Sequence, residues 1–474
     1  MQYQYLNVLQ DLVKSYNNFY HHGIKRSPVS VNRQSQEEVW QNLYGPSHTK
    51  IKNPKLRVGD TVSVESGFWV EHHPISTLTD TGPVEFVVNG SGEEYIDLPK
   101  TYLHVRGKVT KSDGGALTDG DKVAPTNLFA QALFSQVDVS LNGHLTTPSQ
   151  NTYPWRCYLE SLLSYGPDTL QSQPVLSGLC RDTAGELDVM DGDKNKGFVT
   201  RAKWVEESKE CDMVCRVHAD IFHQEKLLIN GVSLKLRFVR SKDAPVLLAP
   251  DNQSGYRFKL TQASLYVRRC KVNPAIVLAY EKTHQSGTAK YPIKRVEVKA
   301  FSVGQGQLSF VEDNLFTGQV PKRLIFGMVD SASFNGTYEK NPFHFKHNLI
   351  NYLSLCVDGR QVPSKPLTPV FDKGLWARSY MSVFEGTGTA WKDKGFDISY
   401  DEYGKGYTLF CFDLTPTLTN GCSGEVELVK SGVVRLEARF SQALQQPIHV
   451  VVYAEWDGLI EIHRSREVFA DFTP

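Results

Sequence analysis

No charge of one sign prevails in this chain: Lys+Arg and Asp+Glu each number 52 in 474 residues. A zero formal charge excludes a global pull toward nucleic acid or an anionic membrane. Long uncharged apolar runs are also missing. "IHVVVYAEW" at 448–456 is among the longest. It is far too short for a membrane span and fits a buried strand. The N-terminus is polar and lacks a signal-peptide hydrophobic core, so signal-peptide secretion is not expected. The sequons at Asn89, Asn252 and Asn335 are then expected to be unused. The Asn-Gly pairs in two of them read as turns.

Cysteine spacing excludes a zinc framework. The eight cysteines (157, 180, 211, 215, 270, 356, 411 and 422) contain no C-x-x-C, and Cys211 and Cys215 are the only close pair. Buried free thiols are expected. Enzyme signatures are missing too: no G-x-S-x-G, no P-loop, no H-E-x-x-H and no dinucleotide fingerprint. "GSGEE" at 90–94 lies between strands and reads as a turn. Glu71, His72 and His73 are adjacent, and neighbours in an extended chain point to opposite faces, so they make a poor metal site. His21 and His22 sit in a helix-breaking loop. Glu93/Glu94 and Glu206/Glu207 read as solvated pairs rather than facing acid and base. No catalytic, cofactor or metal residue is assigned, and the chain is not expected to be an enzyme.

What is present is the composition of a folded protein, 40% apolar and 22% charged. The length allows two or three domains. Residues 4–19 carry helical periodicity through Tyr5, Leu6, Leu9, Leu12, Val13 and Tyr16, ended by Gly23 and Pro28. "SQEEVWQNLYG" predicts a second short helix, with Ser35 and Glu38 at capping-box spacing. A basic linker, 46–57, and one strand, "VGDTVSV", follow.

After about residue 66 period-2 alternation takes over, cut by Gly, Asn, Asp and Pro turns. "TYLHVRGKVT", "SQVDVSLNG", "GVSLKLRFVR", "YRFKLTQASLYVRR", "YLSLCVDG" and "VVRLEARF" are examples. The clearest helix is "YPWRCYLESLLSYG" at 153–166. Residues 167–212 are polar and predict a long insertion, exposed as outer loops. The aromatics of 68–70, 153–155 and 453–456 are expected in the core or at an interface. This is an all-β body of sandwich or barrel geometry.

A faint repeat runs through it. Val137, Val139 and Leu141 lead into Asn142-Gly143; Leu353, Leu355 and Val357 lead into Asp358-Gly359. Val232, Leu234, Leu236 and Phe238 follow Gly231; Val434, Leu436, Ala438 and Phe440 follow Gly432. Two matches in the same order predict a duplicated β domain with its seam near 280–290.

Two resemblances can be placed on these residues. "YLNVLQDLVKSYNNFYHHGIKRSPVSV", "EEVWQNLYG" and "KLRVGDTV", about residues 3–63, resemble the end of the retroviral-type integrase core of Polinton (Maverick) elements and the first strand after it. The acidic triad of that family lies upstream of the matched stretch, and Asp11, Glu37 and Glu38 do not occupy its positions. "GFWVEHHP", "YIDLPKTYLHVRGKV", "NLFAQALFSQVDVSLNG" and "YPWRCYLESLLSYG", within about 67–474, resemble the major capsid protein of the same elements and of adintoviruses.

The second resemblance implies a double jelly roll of two tandem β-sandwich domains behind a short helical remnant. The implied boundaries are 1–66 for the remnant and linker, 67–284 for the first jelly roll and 285–474 for the second. It implies a structural capsid subunit, forming pseudo-hexameric homotrimers in an icosahedral shell with a minor, penton-like protein. Its expected place is the virion, after assembly in the host cytoplasm or nucleus. No cofactor and no membrane contact are expected. Weak nucleic-acid contact is expected only through Lys50, Lys52, Lys55 and Arg57. The alternatives are a glycan-binding, lectin-like jelly roll and an integrase-derived DNA-binding protein without catalysis.

Overall fold

A computed structural model describes residues 64–474, apart from 149, 191–192, 251–254, 285–286, 317, 394, 416–430 and 471–474. Before residue 64 it describes only isolated positions between 17 and 38. Two compact units divide the chain, Met1–Leu56 and Arg57–Pro474. In the first, Pro28–Ser30 form a single 3-10 turn, and Asn32 and Ser35 exchange backbone-to-side-chain hydrogen bonds of 2.9 and 3.0 Å. The two N-terminal helices, the strand "VGDTV" and Lys50, Lys52, Lys55 and Arg57 lie outside the described residues or nearly so.

The second unit is built from strands. The first ten are β1 (Val64–His72), β2 (Val84–Val88), β3 (Glu94–Thr110), β4 (Ala124–Pro125), β5 (Phe134–Leu141), β6 (His144–Leu145), β7 (Cys211–Arg216), β8 (Leu234–Arg240), β9 (Leu247–Leu248) and β10 (Arg257–Val272). They make two four-stranded sheets, ordered β1-β10-β3-β7 and β2-β8-β5-β6, with β4 and β9 paired apart. The remainder are β11 (Ala289–Val303), β12 (Ser309–Phe316), β13 (Arg323–Asp330), β14 (Ile350–Val357), β15 (Arg360–Leu367), β16 (Leu409–Asp413), β17 (Val434–Phe440), β18 (Ile448–Ile462) and β19 (Val468–Ala470). These give β11-β18-β13-β16, with β19 added beside β18, and β12-β17-β14-β15.

The two sets have the same wiring. In each, the first strand pairs with the last long strand, and that one with the third. In each, the second pairs with the next-to-last long strand. All of these ladders are antiparallel. This is the jelly-roll path followed twice. The sequence repeat falls on equivalent strands. β5 and β14 carry the first motif and β8 and β17 the second, and Val139 faces Leu236 as Leu355 faces Leu436. Alternation decides which side is buried: Leu234, Leu236 and Phe238 point inward, as do Val434, Leu436, Ala438 and Phe440.

The rolls are not separate bodies. One continuous apolar cluster runs through both, from Val84 to Val468. Helix α1 (Tyr153–Ser164) lies within it, with nine of its residues buried. β18 explains the long apolar run of the sequence: Val450 to Trp456 are buried without alternation because both its faces are covered. Three further helices were not legible: α2 (Lys196–Val205), α3 (Pro274–His284), which occupies part of the expected seam, and α4 (Ala377–Thr387).

Candidate functional site

The join between the rolls is stacked and then locked by polar groups. On α1, Tyr158 stacks on Phe343 at 4.2 Å and 3°, and Trp155 stacks on Phe334 at 4.5 Å. The Trp155 indole donates to the Pro342 carbonyl at 3.2 Å. Trp155 and Trp456 are therefore core anchors.

Residues 167–212 are inserted between β6 and β7. Their described residues fold through α2 and short turns, partly exposed, with contacts to β4 of the first roll and to the second roll. Arg201, with no exposed surface, donates to the carbonyls of Pro125 (2.7 Å) and Cys180 and to Asp182 Oδ1 (2.7 Å). Asp182 Oδ2 accepts from Asn341 Nδ2 at 2.9 Å, and its carbonyl accepts from the Tyr407 hydroxyl at 2.7 Å. Asp188 accepts from the Asn341 N–H at 2.9 Å and lies 2.8 Å from His344 Nδ1. Arg181 reaches Asp397 at 2.7 Å and Glu402 at 3.2 Å. The composition reads as loop because some of these polar residues serve one another across the seam while others, such as Gln171 to Gln173 and Glu206, Glu207, Lys209 and Glu210, face water. Buried charges of this kind persist only when paired and hydrogen-bonded.

A second clasp comes from the C-terminal end. Arg466 donates to Asn230 Oδ1 at 2.9 Å and Glu281 Oε1 at 2.7 Å, and its carbonyl accepts from Asn142 Nδ2 at 2.7 Å.

Beneath the seam sits a buried ionisable cluster. The i, i+4 spacing on α1 aims Arg156 and Glu160 the same way, 2.9 Å apart. The stretch after β7 supplies His218, Asp220 and His223. Arg156 Nη2 donates to Asp220 Oδ1 at 2.7 Å, and the Tyr453 hydroxyl of β18 donates to Glu160 Oε1 at 3.3 Å. Glu160 Oε2 lies 2.6 Å from His218 Nδ1 and 4.0 Å from His223 Nδ1. Burial alone would raise the Glu160 carboxyl, but Arg156 and the histidines outweigh it and hold it far below the carboxylate range. Burial raises the Asp220 carboxyl, and it pushes His223 down to about 3. Sequence reasoning passed over this cluster. Its signal was the Arg156/Glu160 spacing; its other members stand 58 or more residues away.

The outer face of the first sheet is aromatic. Tyr102 and Tyr266 are cross-strand neighbours stacked at 5.1 Å and 16°, and Trp69 leans on Tyr102 at 5.1 Å. Their strand neighbours Leu103, Val105 and Leu265 point into the core. Trp69 is 48% exposed on β1, an edge strand. Of the aromatic groups singled out above, 153–155 and 453–456 contribute Tyr153, Trp155, Tyr453 and Trp456 to the core, whereas Phe68 and Trp69 are exposed. Glu71 and His72 face Tyr266 and Leu265 on β10, on alternate sides as expected. The seven described cysteines are free, and burial pushes Cys211 up to about 11 and Cys215 and Cys411 to about 12, so these three are not ready nucleophiles. Cys422 lies outside the described residues.

No family model matches the sequence. An uncharacterized protein of Caenorhabditis elegans is 22% identical over 427 residues, covering 87% of this chain and 99% of that one. Solved structures are similar in fold at low identity. A chain of the Sputnik virophage has a TM-score of 0.61 at 12% identity, over 90% of this chain and 93% of that one. The Faustovirus major capsid protein has a TM-score of 0.54 at 9% identity, over 96% and 98%. The mavirus major capsid protein has a TM-score of 0.51 at 10% identity, over 88% and 92%. The fold is thus the double jelly roll of viral major capsid proteins.

Proposed function

We propose that this chain is a major capsid subunit of a Polinton-like virus or transposon, structural rather than enzymatic. The observation that carries the reading is the doubled jelly roll. Two rolls of one wiring share a single core, and the likeness to capsid chains extends over nearly the whole length of both partners. Three such chains closing a ring present six similar units, a pseudo-hexagonal tile, because a heterologous contact repeats until it meets itself. The roll boundaries are proposed at 67–284 and 285–474. The virion is the proposed location, and a minor, penton-like protein would fill the shell's other positions. Residues 3–63, with Lys50, Lys52, Lys55 and Arg57, are proposed to take no part in strand transfer and at most to touch nucleic acid weakly.

Light scattering after size exclusion tests the trimer. The expected mass is about 160 kDa, three times the 53.3 kDa chain. A clean monomer at high concentration, with no larger particles at any salt, would count against the capsid reading. The open ring ladder of Trp69, Tyr102 and Tyr266 favours one second reading, a glycan-binding jelly roll, since sugars stack on such faces. A glycan array separates the two.

A further inference from the structure

We propose that Glu160, His218 and His223 form a binding site for a divalent, imidazole-preferring cation, zinc or cobalt in chemical class. The three side chains come from α1 and from the segment after β7, and their ligating atoms all lie within 4.8 Å of one another. Two imidazoles and one carboxylate are a donor set such ions take, with a fourth position left for water. The inference stands independently of the capsid reading.

Three observations carry it. The first is charge. Two carboxyls, Glu160 and Asp220, both bond to one guanidinium, Arg156, and these three side chains are 12% exposed or less. One negative charge more than the guanidinium can balance is left inside the protein, and a buried carboxyl of this kind must take up a proton or face another cation. The second is a pair of orphaned atoms on residues of the cluster. Asp220 Oδ2 and His223 Nε2 are buried and have no hydrogen-bond partner among the described residues. Buried polar atoms are nearly always satisfied, so each of these lacks a partner that a bound ion or its water can supply. The third is access. His223 is 25% exposed and lines a cavity of about 770 Å³ that runs past Arg216, Lys226, Tyr280 and Lys290. An ion can reach the site along that path, and its open position would face the same space.

The second shell is in place. Asp220 Oδ1 accepts from the Val296 N–H at 3.3 Å and from Arg156 at 2.7 Å, and Tyr453 holds the other Glu160 oxygen. These contacts orient the Glu160 carboxylate and leave Oε2 turned to the histidines. Such outer partners tune affinity and fix ligand orientation. Because α1 and Tyr453 belong to different rolls, a bound ion would tighten the seam.

The test uses the full chain, stripped with a chelator and dialysed against metal-free buffer. Zinc is titrated by calorimetry and counted by elemental analysis, and cobalt is followed by its visible absorption. The expected result is about one ion per chain, a raised thermal midpoint and a tetrahedral cobalt spectrum. His223→Ala, at the partly exposed ligand, is expected to fold and to lose at least ~10-fold in affinity. Glu160→Gln is expected to abolish the cobalt spectrum. A His72→Ala/His73→Ala control is expected to bind as the parent does. The proposal is overturned if the parent takes up no stoichiometric zinc, or if His223→Ala binds as tightly as the parent. A proton then occupies the place assigned here to the ion.

Discussion

Asn142 and Asp358 hold the same post in the two rolls. Each is the first residue of a two-residue turn with positive φ at both positions, 47° and 83° for Asn142-Gly143 and 48° and 76° for Asp358-Gly359. Each side-chain oxygen accepts, at 2.8 Å, from a backbone N–H at the entrance to the neighbouring strand: Ser233 before β8 and Val433 before β17. Each backbone N–H in turn donates to the carbonyl of that same residue. The turn fixes hairpin register, and the side chain ties the hairpin to its neighbour.

Asn142→Ala is therefore expected to cost about 1–3 kcal/mol, from left-handed strain plus two lost hydrogen bonds, one to the Ser233 N–H and one to the Arg466 carbonyl. Asp358→Ala should act in the same direction but less, since it is exposed. Asn142→Gly should recover the backbone part only. Denaturant titration measures all three. Equal stability of Asn142→Ala and the parent would remove the turn's structural role.

Arg201 should be among the least replaceable side chains. It has no exposed surface and three acceptors, one of them Asp182. Arg201→Ala strands the Asp182 carboxylate and two carbonyls in the interior, so a loss of about 3–5 kcal/mol is expected. The double variant Arg201→Met/Asp182→Asn should recover part of it. The urea midpoint reports both.

The seam should loosen in acid through Asp188. Burial works against its charge, but His344, the Asn341 N–H and Lys346 outweigh burial and hold the carboxyl well below its ordinary 3.8. A depressed folded pKa means the unfolded chain binds the proton first. The stabilisation is therefore complete above that ordinary value and is lost as pH falls below it toward the folded one. Asp188→Asn should lower the thermal midpoint at pH 7 and flatten its fall below about pH 4. An unchanged acid limb in the variant would exclude Asp188 as the source.

Every described strand of both rolls begins at residue 64 or later, so residues 1–63 are proposed to be dispensable to them. Their deletion is expected to move the thermal midpoint by no more than ~2 °C. A large drop, or insolubility, would show that the segment supports the rolls.

The sandwich was legible because alternation is local. Leu234, Leu236 and Phe238 announce a half-buried strand within seven residues, and Asn142-Gly143 announces its turn. Even the duplication could be read, because equivalent strands kept both pattern and order. The seam could not. Asp188 and His344 are 156 positions apart, and Arg201 and Asp182 look like surface charge until a fold brings them together. α3, "PAIVLAYEKTH", was hidden for another reason: its described side chains are mostly half-exposed, so it lacks the one-sided pattern that marks a helix. The Glu160 cluster combines both difficulties, with one legible pair on α1 and the remaining members supplied by distant chain.

Trp69 is the residue on which monomer and assembly part company. It stands on an edge strand, next to the exposed Phe68 and over the Tyr102–Tyr266 stack. A large exposed aromatic on an open edge contributes little to the isolated fold and invites a neighbour. Trp69→Ser is expected to cost less than about 1 kcal/mol of unfolding free energy, the worth of one surface ring contact. If the face packs against another subunit, the same change removes a central anchor and should shift the mass by light scattering from trimer toward monomer at equal concentration. A buried-core change such as Leu236→Ala supplies the contrast, since it should lower stability by about 2–5 kcal/mol. A Trp69→Ser protein that still forms trimers at the parent's concentration dependence would move the subunit contact to another face. A parent that is monomeric but binds a glycan lost in Trp69→Ser would turn the same ring ladder into a sugar platform.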